Sequence, residues 1–329
     1  MIRTRNLPFA ATVAIFLLAC LVCGIQFPNM ISTRVFANLL TDNAFLGIAA
    51  VGMTFVILSG GIDLSIGSVI AFTSVFVAVL VRAGVHPAMA FALALMLSTA
   101  FGALMGLVIH ELAMPAFVVT LAGMFLARGA AFLLSTESVP IAHPFIDALQ
   151  GTYFRLPGKG RLTLLAMVMV GVFALGMLVA HRTRFGANVY AMGGSMTSAE
   201  LMGVPLRRAT VQLYALSGLL AGLSGLAYTL YTSAGYSLAT VGVELDAIAA
   251  VVVGGTLLTG GVGLVAGTFF GVMIQGLIQT YIVFDGTLSS WWTKIVIGLL
   301  LFAFIALQRA IVLLPGRRAA PPAGLVAGE

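Results

Sequence analysis

Charge is scarce in this sequence: Asp, Glu, Lys and Arg make up 8% of its 329 residues, where soluble domains carry roughly a quarter. With 61% hydrophobic residues, that shortage excludes an ordinary soluble domain and marks an integral membrane protein. Cysteine is nearly absent. Cys20 and Cys23 form a C-x-x-C inside the first apolar run, with no strand or βαβ pattern around them, so they read as small apolar side chains without a redox or metal role. No phosphate-cradling Gly-x-x-x-x-Gly-Lys-Ser/Thr occurs, nor His-Glu-x-x-His, a metal-spaced His/Cys cluster or a Gly-x-Ser-x-Gly elbow. There is no chain of carboxylates resembling a proton relay. The chain therefore carries neither catalytic nor energy-supplying machinery, and no cofactor is expected in it. Its net charge of +6 is not a nucleic-acid footprint, because the basic residues border apolar runs instead of forming an aromatic-interleaved patch.

What is present is apolar length. Segments able to cross about 30 Å of hydrocarbon fall at 8–27, 37–58, 66–82, 88–110, 115–135, 162–180, 211–233, 244–258, 262–283 and 292–314, which predicts an all-α polytopic protein of about ten spans in a single transmembrane domain over 1–329. The first run continues past Cys20, as a span does and a cleaved leader does not. The positive-inside rule puts Arg3, Arg5, Arg182, Arg184, Arg207, Arg208, Arg309, Arg317 and Arg318 in the cytoplasm, with both termini and a tail at 315–329. Arg155, Lys159 and Arg161, in the loop 136–161, oppose this bias. Fewer spans with re-entrant hairpins at 59–67 and 258–267 is the rival arrangement.

The one long polar interruption with clustered arginines is 181–210. At its centre Thr197 as N-cap, with Glu200 as capping-box partner, opens a short helix through Ser198, Ala199, Leu201 and Met202, and Gly203 and Pro205 stop it. Isolated helices that short are unstable in water. A protein partner pressing on this helix is the reading it suggests.

Leu58 to Ser68 and Leu258 to Thr268 echo each other at an offset of 200 residues, through five identities and three close replacements. The echo is compatible with a repeat or with two independently similar Gly-rich hairpins. The glycines mimic a dinucleotide fingerprint but lack its strand and βαβ unit. Gly102-x-x-x-Gly106, Gly218-x-x-x-Gly222 and Gly267-x-x-x-Gly271 offer close-packing helix faces, inside the chain or at a seam between two subunits. Polar residues within spans mark a pathway or a partner: Asp42, Asn43, Gln275 and Gln279, the last two four apart on one helix face, are the candidates for a solute path. Arg128, Glu244 and Asp246 join them. Trp291, Trp292 and Lys294 suit an interface anchor.

The run Asn38, Asp42-Asn43, Val51-Gly52-Met53-Thr54 and Ser59-Gly60-Gly61-Ile62-Asp63-Leu64-Ser65-Ile66-Gly67-Ser68 resembles the signature of bacterial sugar ABC-importer permeases of the ribose and galactose type. The likeness continues through Thr183-Arg184-Phe185-Gly186, Tyr190 to Gly194 and Ala199 to Gly203, and covers nearly the whole chain. Residues 29–68 and 241–308, with Gly286 to Trp292, resemble more closely a permease subunit of galactofuranose importers. The resemblance implies a fold of the vitamin B12 importer type and an inner-membrane permease forming half of an alternating-access path. It also implies a cytoplasmic ATPase partner using ATP and Mg that docks on 181–210, a periplasmic sugar-binding protein and a second, related permease. A secondary transporter or channel for a small polar solute is the alternative, and an intramembrane enzyme a more distant one.

Overall fold

The computed structural model describes residues 7–289 and 291–313. Arg3, Arg5, Arg317, Arg318 and the expected tail at 315–329 lie outside them. Helix α1 (Leu7–Gln26) runs unbroken through both cysteines. Helices α2 (Thr33–Asp42) and α3 (Ala44–Leu58) replace the single expected span 37–58, bent by 57°. Asn43 sits at the bend and donates its side-chain amide to the Leu39 carbonyl (2.8 Å), a local bond that competes with the helix ladder.

Helices α4 (Ile66–Arg82), α5 (Pro87–Glu111) and α6 (Ala116–Leu134) follow. A cap then forms from β1 (Val139–Pro140), α7 (Pro144–Gln150) and the hairpin β2 (Tyr153–Arg155) to β3 (Arg161–Thr163), which pair antiparallel. Next come α8 (Leu164–Arg182), the short α9 (Arg184–Gly194) and α10 (Met196–Leu201), and the long α11 (Leu206–Thr232). Strand β4 (Ala234–Gly235) returns to pair with β1, before α12 (Val243–Val253), α13 (Val265–Asp285) and α14 (Trp291–Leu313).

Among the described residues, six helices are long and apolar enough to cross a membrane, or seven if the bent pair is one span. By this measure of length and composition the expected count of about ten is not confirmed, with Ile66–Arg82 and Trp291–Ala306 as shorter apolar helices beside the six. Helix α12 has 11 residues, a rise of about 16 Å, half of what a crossing needs. It ends at Val253 because the following stretch holds Gly255, Gly260, Gly261 and Gly263 at positive φ, which a helix does not accommodate. Helix α4 starts inside the protein. Asp63, just before it, bonds Ser217 on α11, and Gly52 of α3 packs against the same Ser217. Residues 59–65 therefore turn back alongside α3.

The small-residue motifs are spent within the chain. A Cβ on Gly102 would stand 2.2 Å from the Tyr214 carbonyl oxygen, one on Gly218 2.3 Å from that of Ser98, and one on Gly271 1.9 Å from that of Ala250. They join α5 to α11 and α12 to α13, so they do not form a seam between subunits. Gly102→Val is expected to force α5 off α11 and cost about 1–3 kcal/mol. Gly129→Val, with nothing within 4 Å of its Cβ, serves as the control. Thermal unfolding of purified protein checks this, and equal midpoints for the two variants would refute the packing role.

Candidate functional site

Thr183 caps α9 by accepting from the Gly186 amide (3.1 Å), and Ser195 caps α10 by accepting from the Ser198 amide (3.2 Å). This corrects the expected start. Thr197 lies inside the helix, and Glu200 is two residues beyond the position that a capping box with Ser195 requires, which Ser198 fills. The C-terminal stop is as expected: Gly203 takes φ 81, its amide bonds the Glu200 carbonyl (2.9 Å), and the Val204 amide bonds that of Ala199 (3.0 Å). Those two bonds make a Schellman turn. Of the six helical residues only Ala199 is buried, against Met192 and Ala209, while Met196, Leu201 and Met202 stand exposed. Arg207, at the start of α11, pairs with Glu111 at the end of α5, so the 181–210 segment shares one end of the bundle with the α5–α6 turn.

Directly before α10, three backbone segments converge. A Cβ on Gly193 would lie 1.8 Å from the Leu58 carbonyl oxygen and 2.4 Å from the Gly261 nitrogen; one on Gly260 would lie 2.7 Å from the Gly60 nitrogen. The Gly261 amide donates to the Leu58 carbonyl (2.9 Å), and the Tyr190 hydroxyl donates to that of Gly263 (2.8 Å). The two hairpins that echo each other in sequence thus touch one another and the end of α9. Only glycine permits this approach.

Past the joint, the first hairpin leads to a buried carboxylate. Asp63 Oδ1 accepts from the Ser65 amide (2.9 Å) and hydroxyl (2.6 Å), and Oδ2 from the Ser217 hydroxyl (2.6 Å). Asp63 therefore fixes the start of α4 locally and ties it to α11. Gly67, in the first turn, leaves room for Glu244: a Cβ there would meet the Glu244 carboxylate at 2.1 Å.

The four polar path candidates do not converge on one point. Asp42 is exposed and accepts from the Tyr231 hydroxyl (3.2 Å). Asn43 is buried against Gly276. Gln275 is buried and donates to the Asp246 carbonyl (3.0 Å), whereas Gln279, one turn on, is exposed, so the two glutamines do not share one environment. Lys294 is more than an interface anchor, since its ammonium bonds both Asp246 carboxylate oxygens (2.7 and 2.6 Å) and ties α14 to α12. Arg128 does not extend toward the interface. It donates to the carbonyls of Ser237 (2.6 Å) and Ala239 (2.7 Å), holding the non-helical stretch 236–242. That stretch reads in sequence as a loop outside the membrane, and its Ser, Gly and Thr content signals irregular backbone without revealing depth.

Residues 35–305 match the family described as branched-chain amino acid transport system / permease component. The chain is 60% identical, over 97% of its length and 96% of the relative's, to the inner membrane ABC transporter permease protein YjfF of Escherichia coli K12. It is 36% identical to the fructose import permease protein FruG of Bifidobacterium longum (95% and 93%) and to the ribose import permease protein RbsC of Bacillus subtilis (90% and 90%). No solved structure matches it. Spanning helices, a capped polar segment and this match agree: the chain belongs to the branched-chain amino acid transport system / permease component family, as a membrane-embedded permease subunit of an ABC transporter whose ATPase is a separate protein.

Proposed function

We propose that this chain is one of two related permease halves of a sugar importer, and that α10 receives the push of the ATPase. The observation that carries the reading is the geometry around α10: a capped six-residue helix presents Met196, Leu201 and Met202 outward, and Gly193 behind it is wedged against both hairpins. Thr197, Ser198 and Glu200 flank the apolar tip, and Ala199 anchors it. Displacement of α10 would then reach Asp63 and α4 through Gly60 and Gly61, and α13 through Gly261. Asp42 and Gln279 reach the surface and are proposed to meet solute; Asn43 and Gln275 shape the path from behind.

Fructose and ribose, which two relatives are described as importing, support a monosaccharide. The resemblance of 29–68 and 241–308 favours galactofuranose, with a periplasmic binding protein supplying most of the specificity. Uptake of a furanose sugar is expected in proteoliposomes only when this chain, a second related permease, the ATPase and the binding protein are all present. ATP-driven uptake with this chain as sole permease would refute the heteromer, and ribose uptake without furanose uptake would refute the sugar.

The arginines flanking 181–210 support a cytoplasmic position for that segment and for the N- and C-termini. Single cysteines at Ser195 or Ser198, in a background lacking Cys20 and Cys23, are expected to react with an impermeant thiol reagent from the cytoplasmic side alone. Cysteines at Gln150 or Gly286 should react from the periplasm. Reversed labelling would overturn the orientation.

Coupling has its own test. Gly193→Ala introduces about 1–3 kcal/mol of overpacking at the joint, and Gly203→Val costs about 1–2 kcal/mol at a left-handed position. Both are expected to lower sugar-stimulated ATP hydrolysis and uptake in the assembled complex. Gly194→Ala, whose Cβ meets nothing within 4 Å, is expected to behave as wild type. Wild-type stimulation in folded Gly193→Ala and Gly203→Val complexes would sink the assignment.

A further inference from the structure

The chain turns at Ser233, in the left-handed conformation, and runs back into the bundle along α4. Gly235 packs on Ser74 and Val75, the Thr240 hydroxyl donates to the Gly67 carbonyl (2.7 Å), and Glu244 lies against Gly67. Gly225, meanwhile, packs on Ile70 and Thr73. Helix α11 serves as a ruler for these contacts: Gly67, and with it 240–244, stands about 16 Å in from the end of α11 at 1.5 Å per residue, about half the thickness of a 30 Å hydrocarbon core.

At this depth residues 236–242 are not helical, and although Ser237 and Ala239 are buried, Leu238 and Val241, with Leu245 in the first turn of α12, are uncovered. Leu238, Val241 and Leu245 are 51%, 66% and 60% exposed. Among the described residues, no hydrogen bond reaches the backbone of Leu238 or Val241. Unpaired amides and carbonyls facing hydrocarbon cost several kcal/mol each, and irregular backbone at membrane depth occurs only where protein buries it or water bathes it. Arg128 holds the same stretch from behind through the Ser237 and Ala239 carbonyls, close enough to Glu244 for their charges to interact. An arginine spent on main-chain carbonyls keeps this backbone open where a helix would close it.

We infer that residues 236–242 line the water-filled route through the membrane, and that the free backbone groups of Leu238 and Val241 bond to water and to the hydroxyls of a passing polyhydroxylated solute. Leu238, Val241 and Leu245 form the apolar wall beside them. This inference deepens the importer reading and rests on it. Neither Asp42 nor Gln279 belongs to this stretch, so the route has a lining that the intramembrane polar residues alone do not disclose.

The test uses the complete complex in proteoliposomes, with Leu238→Cys, Val241→Cys or Leu175→Cys in a Cys20→Ala, Cys23→Ala background, and a water-soluble thiol reagent. Leu175, on α8, is 64% exposed with an intact helical backbone. Modification needs thiolate, and a dry site raises the thiol pKa by a unit or more. Leu238→Cys and Val241→Cys are therefore expected to react about tenfold faster than Leu175→Cys. Saturating transported sugar should slow both. Rates no faster than Leu175→Cys at both positions would overturn the lining, and a cross-link from either to the second permease would identify a protein cover instead. Sugar uptake, measured in the same vesicles, separates the two claims: uptake with unreactive cysteines refutes the lining alone, while its absence from the Cys20→Ala, Cys23→Ala complex refutes the importer reading beneath it.

Discussion

A bilayer offers its proteins no water for main-chain hydrogen bonds, yet among the described residues 59–65, 236–242 and 254–264 run non-helical within the bundle. Everything else follows from how those interruptions are satisfied. At the α10 end the answer is contact of backbone with backbone, the Gly261 amide on the Leu58 carbonyl and Gly193 packed over both. Deeper in, side chains take over: Asp63 engages Ser65 and Ser217, and Arg128 takes the carbonyls of Ser237 and Ala239. Glycine serves where two main chains must meet, and a charged or hydroxyl group serves where one main chain stands alone.

The echo between the two hairpins acquires a physical meaning from this. Similar sequences would arise in any two tight turns, but these touch, and Gly60 and Gly260 leave room for each other. Their differences are as informative. The first carries Asp63 where the second has Gly263, and the second ends its leading helix five residues earlier in the echo, at Val253 where the first runs to Leu58. The first hairpin is held by its own Asp63 carboxylate, and the second by its backbone turns and by the Tyr190 hydroxyl on Gly263. They are therefore unequal levers on the helices that follow them, α4 and α13.

Much of this was legible in the residues themselves. Scarce charge and long apolar runs gave the class and located the helices, and Gly203 disclosed the end of α10, because local chemistry decides such features. The start of α10 lies two residues before Thr197, because Ser195 is also a good cap by type and the backbone chooses it. Depth was the harder quantity. Nothing in Thr232 to Gly242 distinguishes a loop outside the membrane from one that runs back inside, since that depends on contacts with Ser74 and Gly67, more than 150 residues away in sequence. Arg128 stands out in the sequence as an expensive residue within a span, but its partners are carbonyls, which leave no mark in a sequence. The glycine motifs gave close packing without saying which helices would meet.

Helix α10 has another side to its economy of contacts. Six residues, two end caps and one buried alanine are little to resist opening, and segments with so few buried contacts sit at the low end of local stability. If a partner docks on Leu201 and Met202 as proposed, the lone subunit displays a weakly held, apolar element that the assembled complex covers. Weakly held, exposed segments are where chains open and are cut, so α10 would be the vulnerable point of a lone subunit and a protected one in the complex.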